Sequence, residues 1–302
     1  MTLKDYLQER YTLKTVKIYQ YNIENYLKET GETQATKASY KDIANYIGNL
    51  RKRYSNPLTI DQKLYALKAY YSWQCRTRKR EDHPCKHLKL RDAKPRPVQL
   101  QDLFTRKELE ALLEREERYS LLKLRNQTII SLLIYQGLTS GEITKLRIKD
   151  VNLENGSIQI SASANQNERI LKLETKQIML FHKYQNTVRP KLLRSTGRTC
   201  SASKAFILNQ RGKALSIDDI GYLMETYRDQ YPDKRITTKS IRMSVITNLL
   251  KEGKSLRETQ YFAGHKKISS TEVYRQTAVE ELKKEIEKYH PLTAEAKGVG
   301  GL

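Results

Sequence analysis

The chain has 302 residues, a length that suits one large or two modest domains. Only 38% of residues are hydrophobic and 30% are charged, and no run approaches the roughly 18 consecutive apolar residues that a membrane span needs, so no membrane partner is expected. Lys and Arg number 56 against 34 Asp and Glu, a net charge of +22 that points to a long polyanion, because each cation set on a phosphate releases a condensed counterion.

The charge is uneven. Residues 1–50 hold 7 basic and 6 acidic side chains, whereas residues 51–100 hold 14 basic and 4 acidic. Arg51, Lys52 and Arg53, then Arg76, Arg78, Lys79 and Arg80, form a block better explained by a binding face than by general solubility. Arg51, Arg53, Arg76, Arg78, Lys79 and Arg80 are therefore the expected contacts to that polyanion. Met1 to Arg10 carries mixed charges and no apolar run, which predicts no secretion signal. Three scattered cysteines, Cys75, Cys85 and Cys200, make a disulfide framework a poor fit and suit a reducing cytoplasm.

In chain order, residues 3–30 read as helix, with apolar positions mostly three or four apart. Residues 41–54 and 58–76 repeat the pattern, with Asn56 or Thr59 as the cap of the last segment. Three or four helices in this stretch predict a small bundle. Residues 84–99 break the periodicity with Pro84, Pro95 and Pro97 among Lys and Arg, and read as an interdomain linker. His83-Pro-Cys85-Lys-His87, with Cys75 upstream, contains metal-ligand types. Its spacing is not that of a zinc finger and Pro84 interrupts it, so no metal site is expected.

A second helical region opens at Thr105-Arg-Lys-Glu108, a capping box. Glu108, Glu110, Glu114, Glu116 and Glu117 read as a solvated acidic face. Residues 121–136 are apolar enough for a buried helix that Gly137 ends. A short helix at 141–147 precedes a hairpin of Ser157–Ser161 and Arg169–Leu173. Helical patterns return at 175–193, 216–229, 238–252, 255–262 and 276–288, and Thr293 to Leu302 reads as a disordered tail.

The stretch Lys239-Ser-Ile-Arg242, then Gly264-His265, then Tyr274 resembles the C-terminal motif of the tyrosine recombinases of the phage integrase family. The intervals are 23 residues from Arg242 to His265 and nine from His265 to Tyr274. Gln136-Gly-Leu138 followed by Gly141-Glu142 and Leu146 is similar to the family's first catalytic box. Asn167-Glu-Arg-Ile170 resembles its hairpin return strand. Each motif is weak alone (Tyr274 is one of 20 tyrosines), and the joint spacing over about residues 3–290 carries the resemblance.

The resemblance implies a mainly α fold with a small β-sheet in the C-terminal domain, built as a two-domain clamp on duplex DNA. It implies a helical core-binding domain at 1–88, a linker at 89–103, a catalytic domain at 104–290 and a tail at 291–302. Tyr274 would be the nucleophile that cleaves DNA through a 3′-phosphotyrosyl link, with Arg242, His265 and Lys239 on the phosphate. No cofactor and no small-molecule substrate are implied. The partners would be double-stranded DNA and three further copies, a homotetramer joining two DNA sites. The apolar stripe Val279, Leu282 and Ile286 would pack on a neighbouring copy or on its own domain.

Two positions depart from the family pattern. Thr139 stands where the first box has an arginine, and Ala164 stands where the hairpin turn has a lysine. Losing a preorganised phosphate donor costs about 10²–10³ in rate, and losing a charge-neutralising arginine about 10³–10⁵. Lys145, Arg147, Arg169 and Lys172 flank these places and are the candidate substitutes. The alternative is a catalytically weak DNA-binding regulator on the same fold. A generic RNA- or membrane-surface-binding protein is disfavoured by the lack of RNA-module motifs and of a basic amphipathic anchor.

Overall fold

The computed structural model describes residues 1–92, 103–117, 119–194 and 204–275. The chain divides into two compact units, Met1–Arg96 and Pro97–Leu302. The helix expected at 276–288 and the tail fall outside the described residues.

The first unit is helical: α1 (Leu3–Arg10), α2 (Leu13–Thr30), α3 (Glu32–Lys37), α4 (Tyr40–Arg53) and α5 (Pro57–Arg76). The single helix expected over 3–30 is two. Tyr11 is extended, and Thr12 starts a new helix by accepting the Thr15 N–H on its hydroxyl. Threonine favours this role because its side chain satisfies one of the donors left free in a first helical turn. Ser39 and Asp42 cap α4 reciprocally, and Asn56 caps α5 with Pro57 in its first turn. The apolar stripes meet in one core that includes Leu7, Ile23, Ile43, Leu50 and Leu67. Two buried phenols are satisfied within it: Tyr26 and Tyr71 share a 2.6 Å hydrogen bond, and the Tyr71 hydroxyl lies 2.9 Å from the Ala35 carbonyl. The chain after α5 folds back onto this core. Cys85 is fully buried, Leu88 and Leu90 pack beside it, and His83 Nε2 lies 3.1 Å from both the Ser72 hydroxyl and the Lys68 carbonyl.

The second unit is mainly α with one small sheet. Its helices are α6 (Arg106–Ala111), α7 (Ser120–Tyr135), α8 (Ser140–Lys145), α9 (Thr175–Lys183), α10 (Arg189–Arg194), α11 (Ile217–Glu225), α12 (Thr238–Lys251) and α13 (Leu256–Ala263). The antiparallel sheet has the order β1 (Val151–Asn152), β2 (Ser157–Ile160), β3 (Arg169–Lys172), with Ile158 opposite Leu171 and Ile160 opposite Arg169. Alternation sets its inner face, where Ile158, Ile160 and Leu171 are buried. The two-residue β1 is too short to leave a pattern in sequence. The helix expected over 216–229 stops at Glu225 and resumes as a 3₁₀ turn at Arg228–Gln230.

Helix α7 buries Ile129, Ile130, Leu132 and Leu133 and packs against α9 and α12. Residues 240–247 of α12 are buried throughout, arginine included. The Phe104 N–H donates to Ser244 Oγ at 2.8 Å, which ties the start of the unit to α12. Among the described residues no helix is long and apolar enough to cross a membrane, and no cluster of His, Cys, Asp and Glu could hold a metal ion.

Candidate active site

The site is built around α12. Thr237 caps it, accepting the Ser240 N–H at 3.0 Å. The first turn then leaves Lys239 exposed, and Arg242 enters the interior one turn later at 7% exposure. A buried guanidinium must spend its donors on acceptors. Arg242 Nη1 donates to the Gly137 carbonyl, and Nη2 donates to the Ala263 carbonyl at 2.5 Å. Both acceptors lie at helix ends, after α7 and at the close of α13. Burial pulls the Arg242 pKa down, while Glu142 opposes that shift.

Helix α13 ends where the backbone must turn left-handed, at Gly264 with φ +71°. Glycine adopts this conformation without the Cβ penalty. A second constraint acts at the same residue: a Cβ there would collide with the Arg169 guanidinium. The Gly264 carbonyl accepts the Asn167 N–H at 2.8 Å, and His265 forms an antiparallel bridge with Gln166. The β2–β3 loop is thus stitched to the Gly-His segment.

The turn delivers His265 to Arg242, with Nε2 3.4 Å from Arg242 Nη2 and Nδ1 2.8 Å from the Thr271 hydroxyl. A guanidinium only donates, so Nε2 is the bare nitrogen and Nδ1–H donates to Thr271. Burial and the charges of Arg242 and Arg169 push the His265 pKa down to about 4, so the imidazole is neutral at pH 7. Residues 269–275 are helical and carry Tyr274, whose ring stacks on His265 with centroids 6.0 Å apart and planes 14° apart. Burial raises the phenol pKa and Arg242 pulls it back.

Behind this cluster lies a buried ion pair that the sequence reading missed. Arg169 Nη1 meets Glu142 Oε1 at 2.7 Å, with 0% and 7% of the side chains exposed. The other Glu142 oxygen accepts the Thr139 N–H and hydroxyl, at 2.8 and 2.9 Å, and lies 4.0 Å from Arg242 Nη1. Burial pushes the Glu142 pKa up, but Arg169, the Thr139 N–H and Arg242 outweigh it, and the net shift is downward. Arg169 Nε and Nη2 have no partner among the described residues. Of the group, Thr139-Ser-Gly-Glu142 has the spacing of a capping box, a signal the sequence reading passed over. The Arg169 and Thr271 contacts join positions too far apart or too plain to signal.

Arg242, His265 and Tyr274 are therefore brought together, and Lys239 lies exposed one turn before Arg242. Thr139 caps α8 in a reciprocal box with Glu142. Ala164 is exposed within the turn closed by the Ser163 N–H to Gln166 carbonyl bond. Neither supplies a cation. Of the candidate substitutes, Lys145 lines one cavity with Thr139, Ser161 and Ser163. Arg147 lies farther along, Arg169 is buried against Glu142, and Lys172 lines a different groove with Tyr135 and Glu174. In the first unit Arg51 pairs with Asp92, Arg53 with Glu29 and Arg80 with Asp82. Among the described residues Arg76, Arg78 and Lys79 have no carboxylate partner, and Lys79 lies over Trp73 at 4.5 Å.

The sequence profile of the phage integrase family matches residues 102–281, and the chain belongs to that family. The tyrosine recombinase XerD of Staphylococcus epidermidis is 33% identical over 193 residues, which is 64% of this chain and 63% of that protein. The chain thus spans less than two thirds of that relative. XerD of Oceanobacillus iheyensis is 26% identical over 282 residues, 92% of each chain. A crystal structure of the XerH site-specific recombinase, bound to palindromic difH substrate as a post-cleavage complex, has the same fold at a TM-score of 0.70 and 18% identity. That match covers 91% of this chain and 80% of the other.

Proposed function

We propose that this protein is a site-specific DNA recombinase whose nucleophile is Tyr274. The observation that carries the reading is the stacking of the Tyr274 phenol on an imidazole that Arg242 also contacts. The phenol oxygen attacks the scissile phosphorus and the 5′-oxygen leaves as a hydroxyl, so the 3′-phosphate passes to the tyrosine. Attack by another strand's 5′-hydroxyl reverses the step and rejoins the backbone. Neither direction consumes ATP. Bond energy is kept in the phosphotyrosyl link.

His265 stacks on the phenol and is an adjacent acceptor for its proton, and the negative charge of a bound phosphate raises the basicity that burial and the two guanidiniums depress. Lys239, exposed at the start of α12, is suited to protonate the leaving oxygen. Arg242 offers donors to the non-bridging oxygens, where negative charge grows in the transition state. Two duplexes present four strands to cut, and one tyrosine serves each strand, so four copies on two DNA sites complete the reaction. The DNA contacts of the first unit fall to Arg76, Arg78 and Lys79, whose charges are not already matched by carboxylates, more than to Arg51, Arg53 and Arg80.

A second reading has its own support. Thr139 is fully engaged as a helix cap and Ala164 carries no charge, so the phosphate meets fewer cations than in a complete site. A recombinase-like DNA-binding regulator that cuts poorly fits that shortage. Incubation with a nicked suicide duplex and a denaturing gel separate the two. A recombinase gives a covalent adduct that Tyr274→Phe abolishes. Tight duplex binding without any adduct supports the regulator.

A further inference from the structure

The face of α8 and β2 beside the cluster carries a continuous cationic groove. Its inner end is a cavity of about 140 Å³ lined by Thr139, Glu142 and Lys145. Glu142 is the residue 4.0 Å from Arg242, so this end abuts the candidate active site. The cavity shares Lys145, Gln159 and Ser161 with a larger groove of about 640 Å³ that runs on past Arg147, Lys149 and Lys204.

Two neighbouring backbone segments carry these cations. Lys145 closes α8, Arg147 follows with Leu146 buried between the two, and Lys149 sits in the 3₁₀ turn Ile148–Asp150. Segment 204–206 runs antiparallel beside them: the Ile148 N–H donates to the Lys204 carbonyl at 3.1 Å, and the Phe206 N–H to the Leu146 carbonyl at 2.9 Å. Among the described residues none of the four cations has a carboxylate partner. Asp150, a carboxylate that lines both the cavity and the larger groove, accepts the Arg147 N–H at 2.9 Å. Four positive charges without a carboxylate partner, lining one connected groove, are suited to a ligand with repeated negative charge.

We propose that this groove is a phosphate track. Lys145, Arg147, Lys149 and Lys204 hold the sugar-phosphate backbone of duplex DNA on the flank of the strand presented to Tyr274. The inference rests on the recombinase reading above and names a substrate contact for it. It also gives the site cations on the side where Thr139 and Ala164 provide none.

The test is fluorescence anisotropy of the full chain on a mixed-sequence duplex over a series of salt concentrations. Each phosphate contact contributes about 0.9 to the slope of log K against log salt. Changing all four groove cations to Gln is expected to lower the slope by about 3 to 4. Changing Lys107, Lys176, Lys183 and Lys213 to Gln removes the same net charge from exposed positions outside the groove and is expected to lower it far less. Lys145→Arg, Lys149→Arg and Lys204→Arg together keep the charge and should keep the slope, which guards against a folding defect. Equal loss in the groove and control variants, or no loss in the groove variant, overturns the track. If the wild type also forms the Tyr274 adduct, that failure leaves the recombinase reading intact. A wild type that neither binds duplex nor forms an adduct overturns both.

Discussion

Replacing Glu142 by Gln should unfold the second unit far more easily, and the structure gives the size. The substitution is isosteric, so no cavity forms. It leaves Arg169, with 0% of its side chain exposed, without its ion-pair partner, and Arg242 without the anion 4.0 Å away. Breaking a buried pair by removing one partner costs about 3–5 kcal/mol, because the remaining charge has lost both water and counter-charge. Arg169→Met should cost less, since Glu142 keeps the Thr139 N–H and hydroxyl and lies near Arg242. Because Arg169→Met removes the stranded cation, the double variant should be more stable than the two single losses predict, by about 1–3 kcal/mol. Urea unfolding followed by circular dichroism measures this. Trp73, the only tryptophan in the sequence, lies in the first unit, so fluorescence identifies that unit's transition separately. The sign in pH follows from a carboxyl held below its ordinary value near 4.5: its stabilisation is present above that pH and is lost as pH falls through the folded pKa. The gap between wild type and Glu142→Gln should therefore narrow in acid. A Glu142→Gln loss below about 1 kcal/mol at pH 7, or strict additivity with Arg169→Met, would refute the reasoning.

Other outcomes follow from the same contacts. Gly264→Ala places a Cβ at φ +71° and against the Arg169 guanidinium, so it should cost upwards of about 1–2 kcal/mol in urea unfolding, with part of the loss recovered in Gly264→Ala/Arg169→Met. His265 is neutral when folded, with its pKa pushed down to about 4, whereas an unfolded imidazole titrates near 6.5. The unfolded chain therefore binds the extra proton between these values, and stability should fall by about 1–2 kcal/mol from pH 7 to pH 5. His265→Gln should lack that part of the slope in parallel pH-dependent melts. An unchanged slope would mean the imidazole is not neutral in the folded protein.

Much of the fold was legible in sequence because local chemistry announces it. Thr105 with Glu108 and Ser216 with Asp219 start helices where their hydroxyls and carboxylates satisfy first-turn donors. The apolar run of α7 marked a helix buried on most sides. The break at Tyr11 and Thr12 was harder to see, because the apolar spacing continues nearly in phase across it and only the threonine cap betrays the new start. Arg242, His265 and Tyr274 could be grouped because their spacing resembles a family motif, yet the tautomer of His265 and the stacking of Tyr274 depend on contacts that spacing does not encode. Thr139 shows the limit from the other side. Set against an arginine it looked like a loss, whereas its box with Glu142 gives it a structural role. The charge block of the first unit was similarly ambiguous, since sequence does not show that Arg51, Arg53 and Arg80 are already paired.

The central claim is that the Tyr274 oxygen takes the DNA phosphate, and peptide mapping of the adduct tests it directly. After reaction with a suicide duplex, nuclease digestion and trypsin, mass spectrometry should find a nucleotide on the peptide from Ile268 to Arg275, with the fragment ions placing it on Tyr274. Tyr261 is the control nearest in the chain, exposed and hydrogen-bonded through its hydroxyl to the Ile170 backbone. A nucleotide on Tyr261 or on any residue other than Tyr274 would contradict the account.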